Sequence, residues 1–364
     1  MTKENLSLSD RFIVPPLSIL NCTSGEMQSR KKAWERQLAM EKYGDTREDT
    51  LEMGDEVVYA SLYRKTQRRR KELGVSFREY LRDYATEEEM QRDLGNSRNA
   101  SSVSLFNPAV AEVCATWFTP HPNSDIFDPF AGDIRKGAVF GKLGHRFTGI
   151  ELREEQVEEN LRALGNVEFP PQASVQYICD DGRNVKSRVS NNSQDLLFTC
   201  PPYFNLEVYS DDPRDASAQA TYEGFVNILQ DVFTCSTECL RNNRFAIVVI
   251  GDVRDSHGGY YGLPQDVQRI FKSIGLAFVN EIIIADSVSR SLIGAARAMR
   301  NRKVSKRHQQ ILVFYKGDPR SVSKEFMDID NRTDIPSLIG GELYFGDIPK
   351  GMDKNGQMEF DFEV

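Results

Sequence analysis

Residues 124–132 read Ser124-Asp125-Ile126-Phe127-Asp128-Pro129-Phe130-Ala131-Gly132, a short apolar run that stops at an acid, a proline and a glycine. A helix-patterned stretch, KGAVFGKLG (136–144), follows at once. Outward from there the same pattern repeats. HRFTGIEL (145–152), SVQYICD (174–180), DLLFTC (195–200), RFAIVVIGDV (244–253), LAFVNEIIIA (276–285) and HQQILVFYKG (308–317) are further runs rich in β-branched and aromatic residues. Short runs of this composition are strands buried on both faces. Between them EEQVEENLRAL (154–164), YEGFVNILQDVFTCSTECLR (222–241) and GLPQDVQRIFKSIG (262–275) carry helical periodicity. This alternation predicts an α/β fold, a Rossmann-like, seven-stranded, mostly parallel sheet with helices on both faces.

The rest of the chain is different. Residues 1–100 are polar and charged, with helix-like stretches such as RKKAWERQLAMEKYG (30–44) and EEEMQRDLG (87–95), and too few apolar residues for a core of their own. They read as a mostly helical N-terminal extension to a catalytic-type domain at 101–319, and 320–364 as a loop-like tail with an acidic end. Two segments are strongly basic. Arg64 to Lys71 carries six positive charges in eight residues, and the 286–307 loop carries seven positive charges against one negative.

The whole chain of 364 residues has a formal net charge of -8, so any nucleic acid must be met by such local patches. No stretch approaches the roughly 18 apolar residues of a membrane helix, and MTKENLSLSD lacks a signal peptide's apolar region. The six cysteines are scattered, which argues against a disulfide framework. The expected location is a reducing cytoplasm. Cys235 and Cys239 lie among Phe225, Leu229 and Val232 as a core stripe, and His121, His145, His257 and His308 form no ligand spacing.

Ligands of such sheets sit at the carboxyl ends of the strands. The first strand ends in Asp128-Pro129-Phe130-Ala131-Gly132, where Gly132 permits a tight turn close to a ligand; an ordinary strand-to-helix turn is the plain alternative. Some twenty residues on, Glu151 is placed to accept from ribose hydroxyls, and Asp180-Asp181 ends the third strand with acceptors for an amino group, although each acid also suits a loop or helix cap. No GKS or GKT triplet supports a phosphate-gripping P-loop. The fourth strand ends in Cys200-Pro201-Pro202-Tyr203. Two prolines stiffen the chain and leave carbonyl acceptors, and an aromatic offers a flat face. Rigid acceptors beside a stacking ring suit a planar exocyclic amine, whose nitrogen they help to rehybridise as it attacks an electrophile.

DPFAG, GIEL, the acidic third turn and CPPY together resemble motifs I to IV of the S-adenosylmethionine-dependent DNA amino-methyltransferases, which methylate adenine N6 or cytosine N4. VYSDDPRD (208–215) and the RKKAW segment are similar to phage-type DNA methylases. The resemblance covers about 104–317 and implies a class I methyltransferase fold whose seventh strand is antiparallel. It implies that Asp128, Phe130 and Gly132 surround the methionine part of S-adenosyl-L-methionine, that Glu151 binds the ribose, and that Asp181 or Asp180 takes the adenine amine. Phe106-Asn107 stands where motif X contributes to that site, and Asn107-Pro108 equally starts a helix.

On the same resemblance Cys200, Pro201, Pro202 and Tyr203 hold a flipped-out base. Arg290, Arg297, Arg300, Arg302, Lys303, Lys306 and Arg307 would track DNA phosphates, and the 204–220 connection would cover the site or touch the target. Two positions depart from the pattern. Cys200 replaces the usual Asp, Asn or Ser and is a weak acceptor, and Ile134 replaces a second glycine. The expected activity is DNA methylation of adenine or cytosine, in a phage or restriction-modification setting. The rivals are methylation of RNA or of a protein amide, and a non-catalytic DNA-binding protein that keeps the fold.

Overall fold

The computed structural model describes residues 8–38, 69–75, 80, 83–86, 106–206, 208–285 and 299–329. The expected runs are strands, with ends shifted by at most four residues: β2 (Asp125–Asp128), β3 (Arg146–Glu151), β4 (Ser174–Cys179), β5 (Gln194–Thr199), β6 (Leu240–Ile250), β7 (Ala277–Ala285) and β8 (His308–Lys316). An eighth, β1 (Ile19–Asn21), comes from the region read as a mostly helical extension, in which no strand was expected. It is three residues long and buries only its central Leu20, too little to leave an alternating pattern in the sequence.

The sheet order is β1-β7-β8-β6-β5-β2-β3-β4. All pairings are parallel except those of β8, which runs antiparallel to both β6 and β7. Without β1 this is the strand order of the class I methyltransferase fold. The chain reverses direction of travel between β2 and β5, which lie side by side with β3 and β4 outside β2 and the later strands outside β5.

Strand residues alternate between two apolar layers, as the two-residue period requires. Ile126, Phe147, Leu196, Phe198, Ile247 and Val313 face one layer, with α2 (Gly25–Gln37), α3 (Pro108–Phe118) and α4 (Arg135–Lys142). Phe127, Ile150, Leu197, Ala246, Val248 and Phe314 face the other, against α7 (Tyr222–Cys239) and α8 (Leu263–Ser273). Further helices are α1 (Leu8–Phe12), α5 (Glu154–Leu164), α6 (Val185–Arg188) and α9 (Val322–Glu325). Cys239 lies at 0% exposure in the second layer, within the stripe expected for α7.

The RKKAW segment has a structural task. Arg30 and Trp34 on α2 donate to the two carboxylate oxygens of Glu112 on α3, at 2.6 and 2.8 Å, and all three side chains are buried. Burial holds the Glu112 carboxyl above its ordinary pKa, against the pull of Arg30 and Trp34. EEEMQRDLG and residues 64–68 of the first basic run lie outside the described residues. No helix among the described residues is long and apolar enough to cross a membrane.

Candidate functional site

The carboxyl ends of the parallel strands meet at the point where β2 and β5 part, the usual place for a ligand in an open α/β sheet. There Asp128 and Thr199 are both fully buried, and the Thr199 hydroxyl donates to Asp128 Oδ1 at 2.6 Å. The same oxygen accepts from the Phe130 N–H at 2.9 Å. Lys136 on α4, also buried, pairs with Asp128 Oδ2 and donates to the Phe130 carbonyl at 3.1 Å. Its ammonium lies 5.7 Å from the Phe106 ring. Asp128 is therefore the knot that ties the first glycine turn to the CPPY strand.

Beyond that knot the turn opens. Gly132 adopts φ +59°, and a Cβ placed on it would meet no atom within 4 Å. A left-handed backbone beside open space is where a chain can lie directly against a ligand. The Gly132 N–H donates to Glu151 Oε2 at 2.9 Å, and the Arg153 N–H to Oε1 at 3.0 Å. Each Glu151 oxygen thus has one backbone donor and keeps capacity for another. Burial raises the Glu151 carboxyl above its ordinary range, Arg153 and Gly132 pull it back, and nearby Asp215 adds to the rise. The Gly132 carbonyl is held at 2.7 Å by Asn160, itself bonded by Gln156 at 3.0 Å, both from α5 and both buried.

Ile134 does not crowd this space. Its side chain is 7% exposed and belongs to the first apolar layer. Asn107 accepts from the Ala109 N–H at 3.1 Å with Pro108 in the first turn of α3, the plain helix start that its sequence allowed.

The two acids after β4 have local partners. Asp180 accepts from the Asp181 N–H, Asn184 and Arg188 at 2.8, 2.9 and 2.6 Å. Burial would raise its carboxyl, but these donors outweigh that and hold it below its ordinary value. Asp181 caps the following turn through the Arg183 N–H and takes the Arg183 guanidinium on both oxygens. Both therefore have the local role that the sequence left open beside ligand binding.

On the other side of the seam stands Tyr203. Its hydroxyl donates to Gln309 Oε1 on β8 at 3.1 Å and lies 3.5 Å from Cys200 Sγ. Its ring lies against Gly251 just past β6, where an added Cβ would come within 3.0 Å of the ring. Only glycine leaves that approach open. Pro201 is buried, and no N–H of the described residues reaches its carbonyl. Phe204 follows at φ +53° and is buried against Tyr222, Phe225 and Tyr261.

The connection after it folds over the neighbouring edge. Asp215 accepts from Ser210 and Ser217, Gln219 donates to the Pro213 and Asp215 carbonyls, and Arg214 pairs with Asp212. Asp215 is near enough to Glu151 to help raise its carboxyl, and Arg214 is near enough to Asp181 to be held more firmly protonated by it. The loop therefore lies at the Glu151–Asp181 edge.

Arg290 and Arg297 lie outside the described residues. Arg300 and Arg302 are exposed, and Lys303, Lys306 and Arg307 half-buried, on the segment that enters β8. Because β8 is antiparallel, that segment arrives at the same edge as Tyr203. Of the first basic run, Arg69 donates to the Tyr80 hydroxyl at 3.4 Å.

Sequence reading missed Lys136, Thr199, Asn160, Gly251 and Gln309. Thr199 directly precedes Cys200 in the chain, and Lys136 follows Gly132 by one helical turn. Asn160, Gly251 and Gln309 are joined to the site by tertiary contact alone and carry no local signal.

No protein-family model matches the chain and no curated protein is similar to it. Among solved structures, a candidate DNA modification methylase from Thermus thermophilus, complexed with S-adenosyl-L-methionine, is 23% identical over 38% of this chain and 54% of its own, with a TM-score of 0.29. TrmN from Thermus thermophilus is 12% identical over 64% and 68%, with a TM-score of 0.41. A SAM-dependent methyltransferase from Methanosarcina mazei is 9% identical over 54% and 93%, with a TM-score of 0.36. The chain spans about half the length of the first of these. The fold is shown by the strand order itself: leaving out β1, seven strands, with β8 antiparallel to both neighbours, stand in the class I methyltransferase arrangement.

Proposed function

We propose that this protein is an S-adenosyl-L-methionine-dependent DNA methyltransferase acting on an exocyclic amino group, adenine N6 or cytosine N4, of a base turned out of the duplex. The observation that carries the reading is the placement of Tyr203. A half-buried ring is laid on Gly251 and held by Gln309, beside a rigid Pro201-Pro202 turn whose first carbonyl meets no backbone donor among the described residues, one seam away from the open space at Gly132.

The residues present fit the cofactor. Gly132 leaves room for it, and Glu151, with two backbone donors and spare acceptor capacity, suits ribose hydroxyls. S-adenosyl-L-methionine supplies an electrophilic methyl group on a sulfonium. The chain supplies the geometry. Tyr203 stacks the target base, and the Pro201 carbonyl accepts a hydrogen bond from its amino group. That bond would favour a pyramidal nitrogen, its lone pair turned toward the methyl group that the cofactor would supply. The surplus amine proton then leaves to water. Cys200 Sγ is too weak an acceptor to direct the amine and is engaged by the Tyr203 hydroxyl, so it acts by fixing that ring.

Nucleosides from the DNA of a methylation-deficient host expressing the protein test this. A new N6-methyladenine or N4-methylcytosine peak, lost in Tyr203→Ala, is the expected result. Folded protein giving no modified deoxynucleoside, with a methylated nucleoside appearing in RNA instead, overturns it.

A further inference from the structure

We infer that the hairpin at residues 251–262, which the motif reading does not include, joins the basic 299–307 segment to form the phosphate-gripping surface for the DNA strand whose base enters at Tyr203. This deepens the proposed function and rests on it.

The hairpin and the basic segment meet at one aromatic residue. Arg254 lies 3.8 Å over the Tyr260 ring and Lys306 Nζ lies 5.7 Å from the same ring. Arg254 also donates to the Gly258 carbonyl at 2.8 Å and reaches the Val304 carbonyl at 3.5 Å. Lys303 closes over the tip, its ammonium lying against Gly258, whose φ of +89° suits glycine. Tyr260 itself is 43% exposed.

Among the described residues no carboxylate forms an ion pair with Arg254, Lys303 or Lys306. The nearby acids are turned to the backbone: Asp252 Oδ1 accepts from Val253, Gly262 and Leu263, and Asp255 Oδ1 from Gly259. Burial lowers the Lys306 ammonium below its ordinary pKa; Asp252 opposes this and Arg254 adds to it. Cations held together against their mutual repulsion, around an exposed ring, suit a polyanion with planar bases.

The position fits the same partner. The hairpin begins at Gly251, on which the Tyr203 ring lies, and the basic segment runs into Gln309, which holds the Tyr203 hydroxyl. The cluster is thus tied by both of its ends to the residue proposed to stack the target base. A strand gripped here has its phosphates next to the nucleotide that must be turned out.

The test is fluorescence anisotropy of a labelled DNA duplex with a mismatched adenine, bound by the full-length protein across a salt titration. Arg254→Gln with Lys306→Gln is expected to weaken binding roughly tenfold at moderate salt and to reduce the slope of log K against log salt by about 2. Lys272→Gln, an exposed charge on α8, should change neither by as much, and S-adenosylmethionine affinity should be unaltered in all three proteins. Arg254→Lys should keep the slope while losing part of the affinity, because it keeps charge and loses the flat stack. Wild type that binds the duplex while the double variant matches Lys272→Gln overturns the inference and leaves the proposed function standing. Wild type that binds no DNA overturns both.

Discussion

The two halves of the candidate site handle charge in opposite ways. On the β3–β4 side almost every cation has its own acid: Arg183 with Asp181, Arg188 with Asp180, Arg214 with Asp212, and Lys136 with Asp128 at the seam. On the β6–β8 side Arg254, Lys303 and Lys306 are brought together with no such partner among the described residues. A half that closes its own charges is preorganised for a small ligand bound by hydrogen bonds. A half that leaves cations open is completed by an anion from outside. The molecule has a formal net charge of -8, so this contrast is local and invisible in the total.

The largest expected effect breaks the seam between the halves. Asp128→Asn removes the charge that balances buried Lys136 while keeping an oxygen for Thr199 and Phe130. It should cost about 3–5 kcal/mol of stability in urea unfolding, the usual consequence of stranding one partner of a buried pair. A loss below about 1 kcal/mol would show that Lys136 finds water or another acceptor and that the seam is softer than its geometry indicates.

Tyr203→Ala separates the halves instead of breaking both. Loss of base stacking, worth about 1–3 kcal/mol, should lower kcat/KM for DNA by roughly 5- to 150-fold. Cofactor affinity, read by calorimetry, should stay within about twofold of wild type, well under 1 kcal/mol. An equal loss of cofactor affinity would mean that the ring belongs to the other half.

Glu151 gives the cofactor half a pH signature. Burial places its folded pKa above the ordinary 4.5, and only the carboxylate accepts from two hydroxyls. Cofactor affinity should therefore fall as pH drops through that raised value, beginning at a higher pH than an exposed glutamate would show. Each unit below it costs about tenfold. The unliganded protein behaves oppositely: the raised pKa means that protonating Glu151 on acidification relieves a cost of folding. Titrating affinity in wild type and Glu151→Gln checks this, and a flat wild-type profile would remove Glu151 from the ribose contact.

Gly132→Ala should be the mildest. Its Cβ meets no atom, so the expected cost is that of a left-handed alanine, about 1 kcal/mol. That cost should appear in melting and as a several-fold loss of cofactor binding, with DNA binding unchanged.

Legibility in the sequence follows the range of the physics. Strands such as 308–316 and the helix at 154–164 are readable because burial imposes a period on neighbouring residues. The glycine turn at 132 and the two prolines at 201–202 are readable because backbone freedom and stiffness are properties of single residues. β1 is not, being three residues at an edge with one buried side chain. Asp180 and Asp181 stand at a strand end as expected, but their arginine partners depend on where the next turn sends Arg183 and Arg188.

The sequence by itself determined the strand and helix periods, the stiff CPPY turn and the basic composition of 286–307, because each is a local property of the chain. Tertiary structure alone decided that Gly251 and Gln309 clasp Tyr203, that Lys136 neutralises Asp128, and that Arg254 meets Lys306 across Tyr260. Those contacts join residues up to about a hundred positions apart, and their partners are selected by sheet order and the reversed direction of β8, which no window of sequence encodes.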